Sequence, residues 1–125
     1  MRTVMICDDE VDILRVYSNF LRKKFNVITA ESGESCLNLY SQERKNGKKI
    51  DVLLLDYRLG DMLGDAVACK IREMDGTKTI LITAFEIDEK IMDDLKQRNC
   101  IALRLKKPVS LLTLSDKIQE LAGGN

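Results

Sequence analysis

Residues 52–55, Val-Leu-Leu-Leu, form an unbroken aliphatic run that ends in an acid, Asp56. A run of that length without polar alternation reads as a strand buried on both faces. Helices must then cover the sheet on either side, which is the work of the crossover connections that join parallel strands. An acid directly after such a strand lies at its carboxyl end, where open α/β sheets bind their ligands. The same five residues therefore constrain both the fold and the place to look for function.

The rest of the chain alternates strand and helix. Residues 3–7 read as a short apolar strand. Residues 11–24 follow as a helix with Ile13, Leu14, Tyr17, Phe20 and Leu21 on one face. Residues 25–30 resemble a strand, and Ser32-Gly33-Glu34-Ser35 opens a second helix carrying Cys36, Leu37, Leu39 and Tyr40. Residues 44–49, Arg-Lys-Asn-Gly-Lys-Lys, read as a solvated, mobile connection to the third strand at 50–55. A helix over 64–74 stops before Asp75-Gly76. A strand at 79–83 precedes a helix over 88–98, with Ile87, Ile91 and Leu95 at helical spacing. A strand at 101–105 and a helix beginning near the N-cap candidate Ser110 complete the pattern. At 125 residues this is one domain, and a complete eight-unit barrel would need about 250. The expected fold is an open, doubly wound, five-stranded parallel α/β sheet with five helices, in the flavodoxin-like order 2-1-3-4-5. Residues 1–122 are assigned to this domain and residues 123–125, Gly-Gly-Asn, to a flexible tail or the start of a linker.

Composition narrows the function. Twenty basic and twenty acidic residues cancel, so no basic field points to nucleic acid or to an anionic membrane. The apolar stretches fall far short of the roughly 18 residues that span a bilayer, and the N-terminus lacks a signal peptide's apolar core. A cytoplasmic location is expected. Cys7, Cys36, Cys69 and Cys100 are dispersed without a Cys-x-x-Cys pair, so reduced and mostly buried thiols are expected. The chain has no histidine, which excludes an imidazole base or nucleophile of its own.

In the order 2-1-3-4-5, strands 1, 3 and 4 are central. Asp8 and Asp9 follow the first, Asp56 the third, Thr83 the fourth, and Lys107 the fifth, just before Pro108, the only proline. Each has an ordinary explanation taken alone. Asp8-Asp9-Glu10 resembles an acidic first turn that complements a helix dipole. Asp56 resembles a turn acid, Thr83 a strand-end hydroxyl, Lys106-Lys107 a solvated pair, and Pro108 a loop punctuator. Together they form a cleft. Three carboxylates there repel one another unless a cation sits among them, and an all-oxygen donor set favours a hard ion, Mg²⁺ or Mn²⁺. A lysine and a hydroxyl at the rim suit the oxygens of a phosphoryl group, and Asp56 is then the candidate nucleophile.

On these motifs the chain resembles the receiver domain of two-component response regulators, from end to end. Asp8-Asp9-Glu10 after the first strand resembles the family's acidic pair, and Leu-Leu-Leu-Asp56 its phosphoacceptor strand. Ile82-Thr83-Ala84 resembles its switch hydroxyl, and Lys107-Pro108 its lysine with a cis peptide. The resemblance implies phosphorylation of Asp56 by a sensor histidine kinase or phosphotransfer protein. It implies direct Mg²⁺ ligation by Asp9 and Asp56, ligation by Asp8 through water, and a further ligand in the Arg58 carbonyl. Thr83 and Lys107 would contact the phosphoryl group. The domain would catalyse only its own phosphorylation and dephosphorylation, and so is no metabolic enzyme. It would signal to a downstream protein target through helix 88–98, strand 101–105 and the last helix, a face also able to form a homodimer. Two departures carry expectations of their own. Gly60 stands where proline is usual, implying a more flexible loop. Arg104 stands where an aromatic switch residue is usual and is expected to stay largely exposed.

Rival functions have specific failings. A haloacid-dehalogenase-type phosphatase needs an acid two residues after its nucleophile, where this chain has Arg58. A flavin or nucleotide site needs a glycine- or hydroxyl-rich first turn, where this chain has Cys7-Asp8-Asp9-Glu10. A pseudo-receiver that only binds partners would have no reason to keep every active-site position.

Overall fold

The structure, a computed structural model, describes residues 1–123. The tail assigned to residues 123–125 lies outside these from Gly124 onward. Ten elements alternate along the chain: β1 (Thr3–Cys7), α1 (Val11–Leu21), β2 (Asn26–Ala30), α2 (Gly33–Lys45), β3 (Val52–Asp56), α3 (Gly64–Met74), β4 (Lys78–Thr83), α4 (Glu89–Gln97), β5 (Leu103–Lys106) and α5 (Leu111–Leu121). All strand pairs are parallel and the order is β2-β1-β3-β4-β5, as expected.

The apolar run of β3 is explained by two cores. Leu53 and Leu55 face one, with Cys36 and Tyr40 of α2, Val67, Ala68 and Ile71 of α3, and Met92 and Leu95 of α4. Val52 and Leu54 face the other, with Leu14, Tyr17 and Leu21 of α1 and Leu114 and Ile118 of α5. Two helices thus cover one face and three the other, so no side of β3 meets water. Ser32 and Ser110 cap α2 and α5 by accepting the backbone N–H groups of Ser35 and Thr113.

Several local expectations change. Helix α1 ends at Leu21 rather than 24, and α2 runs to Lys45 into the segment expected to be a connection. The turn beyond it is made at Gly47, whose φ is +73°. On α4 the buried residues are Met92 and Leu95, and Ile91 is exposed. Ile87 and Leu95 are buried as expected, although Ile87 precedes the helix, and Met92 takes the place expected for Ile91.

The expectation of four reduced thiols is corrected. Cys69 on α3 and Cys100 after α4 are joined as a disulfide, with Cα atoms 4.7 Å apart, while Cys7 and Cys36 are free and buried. The 31-residue separation hid the pair. Only the packing of α3 beside the end of α4 brings the two into bonding range.

Candidate functional site

The carboxyl ends of the central strands assemble the site through backbone register. Cys7 pairs with Leu55 and Asp56 with Ile82. Beyond the strands the ladder continues: Asp8 N–H donates to Ala30, Tyr57 N–H to Ile82, and Lys107 N–H to Thr83. Asp8, Asp56, Thr83 and Lys107 are therefore placed by main-chain hydrogen bonds at one edge of the sheet. The Lys107–Pro108 peptide is cis.

Lys107 is the hub. Its Nζ lies 3.1 Å from Asp8 Oδ2, 3.6 Å from Asp56 Oδ1 and 3.9 Å from Glu10 Oε1. Asp8 and Asp56 are buried, whereas Asp9 and Glu10 are exposed. Asp8 also accepts the Glu10 backbone N–H through Oδ1 at 2.9 Å. Glu10 occupies the N-cap position of α1, yet its side chain makes no capping hydrogen bond. The acidic run is thus turned into the cleft rather than spent on the helix end.

Electrostatics follow from this arrangement. Burial, then the charge of Asp8, raise the Asp56 carboxyl to about 6; Asp9 adds to the rise and Lys107 opposes it. Burial pulls Lys107 down, but the hydrogen bond and charge of Asp8 and the charges of Asp56 and Glu10 outweigh it, so Lys107 sits above the usual lysine range. Asp8, Glu10 and Asp56 surround this one ammonium, Asp9 lies beside Asp8 and Glu10, and the cleft is short of positive charge. The side-chain oxygens of Asp8, Asp9 and Glu10 lie within 4.8 Å of one another. An oxygen-only cluster in a charge-deficient cleft fits a hard divalent cation. Sequence reasoning read Glu10 only as part of a motif and assigned it no part in this cluster.

The loop from Tyr57 to Leu63 is closely tied. Gly64 N–H donates to the Tyr57 carbonyl at 2.6 Å. Asp61 accepts the backbone N–H groups of Gly33 and Glu34 at the start of α2, which hold its carboxyl below the usual range. Gly60 has φ of +81°, a conformation open to glycine and closed to proline. The loop expected to be looser for lack of a proline is instead pinned to a neighbouring helix. Asp61 carried no sequence signal, because its partners are backbone groups distant in the chain.

Thr83 is buried at the end of β4, but its hydroxyl is engaged by Phe85 rather than by the acids. Arg58, expected to contribute its carbonyl, lays its guanidinium over the Phe85 ring, 4.2 Å from the centroid. Arg104 is one-third exposed and lies 3.8 Å from Glu89. It is less exposed than expected because β5 sits beside the start of α4 and supplies an acid partner. Among the described residues no helix is long and apolar enough to cross a membrane.

A doubly wound sheet with acids and a lysine gathered at its carboxyl edge defines the CheY-like class of α/β proteins. Residues 4–119 match the family model of the response regulator receiver domain. The chain belongs to that family, the receiver domains of two-component response regulators, which are signalling domains rather than metabolic enzymes. Members interact with histidine kinases or phosphotransfer proteins and with downstream effectors. In fold, the chain is similar to a CheY-like receiver domain protein from Methanospirillum hungatei JF-1, with a TM-score of 0.86 at 23% identity over 99% of this chain and 95% of that one. A receiver domain protein from Clostridium thermocellum gives 0.84 at 22% identity, covering 99% and 96%. In sequence, it is 34% identical over 82 residues to a probable transcriptional regulator, ycf27, of Guillardia theta. That match covers 65% of this chain but only 30% of the relative's length.

Proposed function

We propose that Asp56 is the phosphoacceptor of this receiver domain and that residues 1–122 form the phosphorylated module. The observation that carries this is the convergence of Asp8 and Asp56 within 3.6 Å of the Lys107 ammonium, at the strand end where burial and neighbouring acids leave Asp56 short of cationic partners. The donor would be a phosphohistidine on a sensor kinase or phosphotransfer protein in the same cytoplasm, since this chain has no histidine of its own. An Asp56 carboxylate oxygen forms a bond to phosphorus as the phosphorus–nitrogen bond breaks, and the electron pair returns to the departing imidazole.

Each side chain has a task in this scheme. Asp8, Asp9, Asp56 and the Arg58 carbonyl would hold Mg²⁺, or Mn²⁺ in its place, with Glu10 close enough to assist. When bound, the ion supplies charge neutralisation for the phosphoryl oxygens. Lys107 is already oriented by Asp8 and would pair with a phosphoryl oxygen at Asp56. Thr83 would leave Phe85 and donate its hydroxyl to another. That movement would release the β4–α4 loop and alter the surface of α4, β5 and α5 presented to a downstream protein or to a second copy of the chain.

The test is labelling by acetyl phosphate with Mg²⁺, followed by intact-mass spectrometry. The wild type should gain one phosphoryl group, and Asp56→Asn should gain none. Undiminished labelling of Asp56→Asn would refute the assignment.

A further inference from the structure

We infer that Cys69 and Cys100 are a reversible dithiol–disulfide pair whose redox state sets how freely α4 moves against α3. The consequence for signalling rests on the phosphoacceptor proposal for Asp56; the linkage itself does not.

Cys100 is part of the structure that terminates α4. Its N–H donates to the Leu95 carbonyl, and Asn99 N–H donates to Lys96, with Asn99 at φ +59°. These are the paired hydrogen bonds of a Schellman cap, in which Cys100 closes the last turn. The disulfide therefore holds the C-terminal cap of α4 to the middle of α3. Helix α4 is otherwise lightly anchored. It buries only Met92 and Leu95, whereas α3 buries Gly64, Val67, Ala68 and Ile71. Between the two helices lies an open crevice of about 480 Å³. The covalent link thus joins the helix that follows the Asp56 loop to the helix expected to carry the output.

The pair is also reachable. Cys69 lines the crevice and is partly exposed, and the same crevice is lined by two acids, Asp65 and Asp94, and two cations, Lys90 and Arg98. The other two cysteines differ. Cys7 and Cys36 are buried and unbridged, and contact with Cys36, then burial, push the Cys7 thiol up. Disulfides in cytoplasmic proteins are most often transient or redox-sensing rather than structural, and a bridge with one partly exposed cysteine, tied to a lightly anchored helix, suits that use.

The exchange balances with a dithiol reductant. A reductant thiolate attacks Cys69 Sγ, the Cys69–Cys100 bond breaks, and Cys100 leaves as a thiolate that takes up a proton. The second reductant thiolate then attacks the mixed disulfide and releases Cys69. Two electrons pass to the protein, and the reductant closes to its own disulfide.

The test uses the folded chain, air-oxidised or treated with dithiothreitol in native buffer. Alkylation with a mass-tagged maleimide counts accessible thiols, and hydrogen exchange followed by mass spectrometry reads α4. Dithiothreitol should expose two additional thiols, at Cys69 and Cys100. It should speed exchange in residues 89–100 by about tenfold while the central strands remain protected. Cys69→Ser should show the fast α4 exchange and ignore dithiothreitol. Acetyl phosphate labelling should differ about three- to tenfold between the two redox states. The proposal is overturned if the oxidised chain holds no Cys69–Cys100 bond, if native dithiol leaves the bond intact, or if α4 exchange is the same in both states. Absence of labelling in both redox states would instead defeat the Asp56 assignment, with α4 exchange still deciding the redox proposal.

Discussion

The Thr83 hydroxyl is clasped by Phe85 at both ends of the residue: Phe85 N–H donates to Thr83 Oγ1 at 2.9 Å, and the hydroxyl donates back to the Phe85 carbonyl at 3.1 Å. The Phe85 ring in turn lies under the Arg58 guanidinium. Phe85 therefore joins the loop after β4 to the loop after β3, with Thr83 as the latch. Arg104 stands where the family usually has an aromatic switch, and in this chain the aromatic residue tied to the hydroxyl is two residues along the loop, not across on β5. If Thr83 turns to a phosphoryl oxygen, both Phe85 backbone groups lose their partner at once.

Thr83→Ala should separate chemistry from switching. Phe85 is half-exposed, so water can replace the lost bonds, and the stability loss should be about 1 kcal/mol in urea unfolding. Asp56 should still be labelled by acetyl phosphate, more slowly. The change in α4 amide spectra between free and labelled protein should shrink to a small fraction of the wild-type change. Thr83→Ser keeps the hydroxyl and should restore it. An undiminished α4 response in Thr83→Ala would remove the latch from the mechanism.

Asp56 should weaken the fold at neutral pH when no divalent ion is present. Its carboxyl is raised from 3.8 to about 6 in the folded chain. Below about pH 4 both folded and unfolded forms are protonated, and the group has no effect. Between pH 4 and 6 the unfolded chain ionises first, so it binds fewer protons and stability falls as pH rises. Above pH 6 the loss is complete, on the order of 2–3 kcal/mol. Asp56→Asn cannot ionise. Its stability advantage over wild type in chelator should grow from near zero at pH 4 to that value by pH 7, and saturating Mg²⁺ should reduce it. Parallel pH profiles for the two proteins would contradict the raised carboxyl.

Much of this was legible in the sequence because it depends on residues close in the chain. The run ending at Asp56 announces a strand buried on both faces, and sheet order then carries Asp8, Thr83 and Lys107 to the same edge. What escaped were contacts between segments that only packing brings together. Asp61 capping α2, Phe85 holding Thr83, and Cys69 meeting the cap of α4 involve backbone partners or long separations. The exposure of Ile91 on α4 escaped for a related reason. Ile91 and Met92 are both apolar, and only the approach angle of the helix decides which is buried.

Lys107→Met should show how much of the cleft's tolerance for acids rests on one ammonium. Asp8 and Asp56 are both buried and both within 3.6 Å of Lys107 Nζ. Methionine keeps most of the volume and removes the charge, leaving uncompensated carboxylates. The loss at pH 7 should be about 3 kcal/mol in urea unfolding. Without the lysine the Asp56 carboxyl titrates higher still, so the deficit should diminish as pH falls toward 4 and Asp56 protonates. Mg²⁺ should recover part of it. A deficit independent of pH would mean that Lys107 acts through packing alone.

Gly64→Ala tests the closest approach in the site. A Cβ at Gly64 would lie 2.6 Å from the Asp56 carbonyl oxygen and 3.0 Å from Tyr57 Cα. Those are backbone atoms at and just beyond the end of β3 and cannot swing aside as a side-chain tip would. To admit the methyl group, α3 must lift from the end of β3, stretching the Gly64–Tyr57 hydrogen bond and carrying the Asp61 loop with it. Alanine is the better helix former, by up to about 1 kcal/mol in a helix interior. Gly64 is the first residue of α3, where that gain is smaller, and crowding of this kind costs about 1–3 kcal/mol. A net loss near 2 kcal/mol is expected, with Asp56 labelled at least several-fold more slowly because its own main chain has moved. Gly47→Ala is the control. It also disturbs a glycine, at φ +73°, but a Cβ there would meet nothing within 4 Å. It should cost about 1 kcal/mol through backbone strain and leave the labelling rate unchanged. Equal labelling rates for Gly64→Ala and Gly47→Ala would show that the seating of α3 on β3 does not govern the position of Asp56.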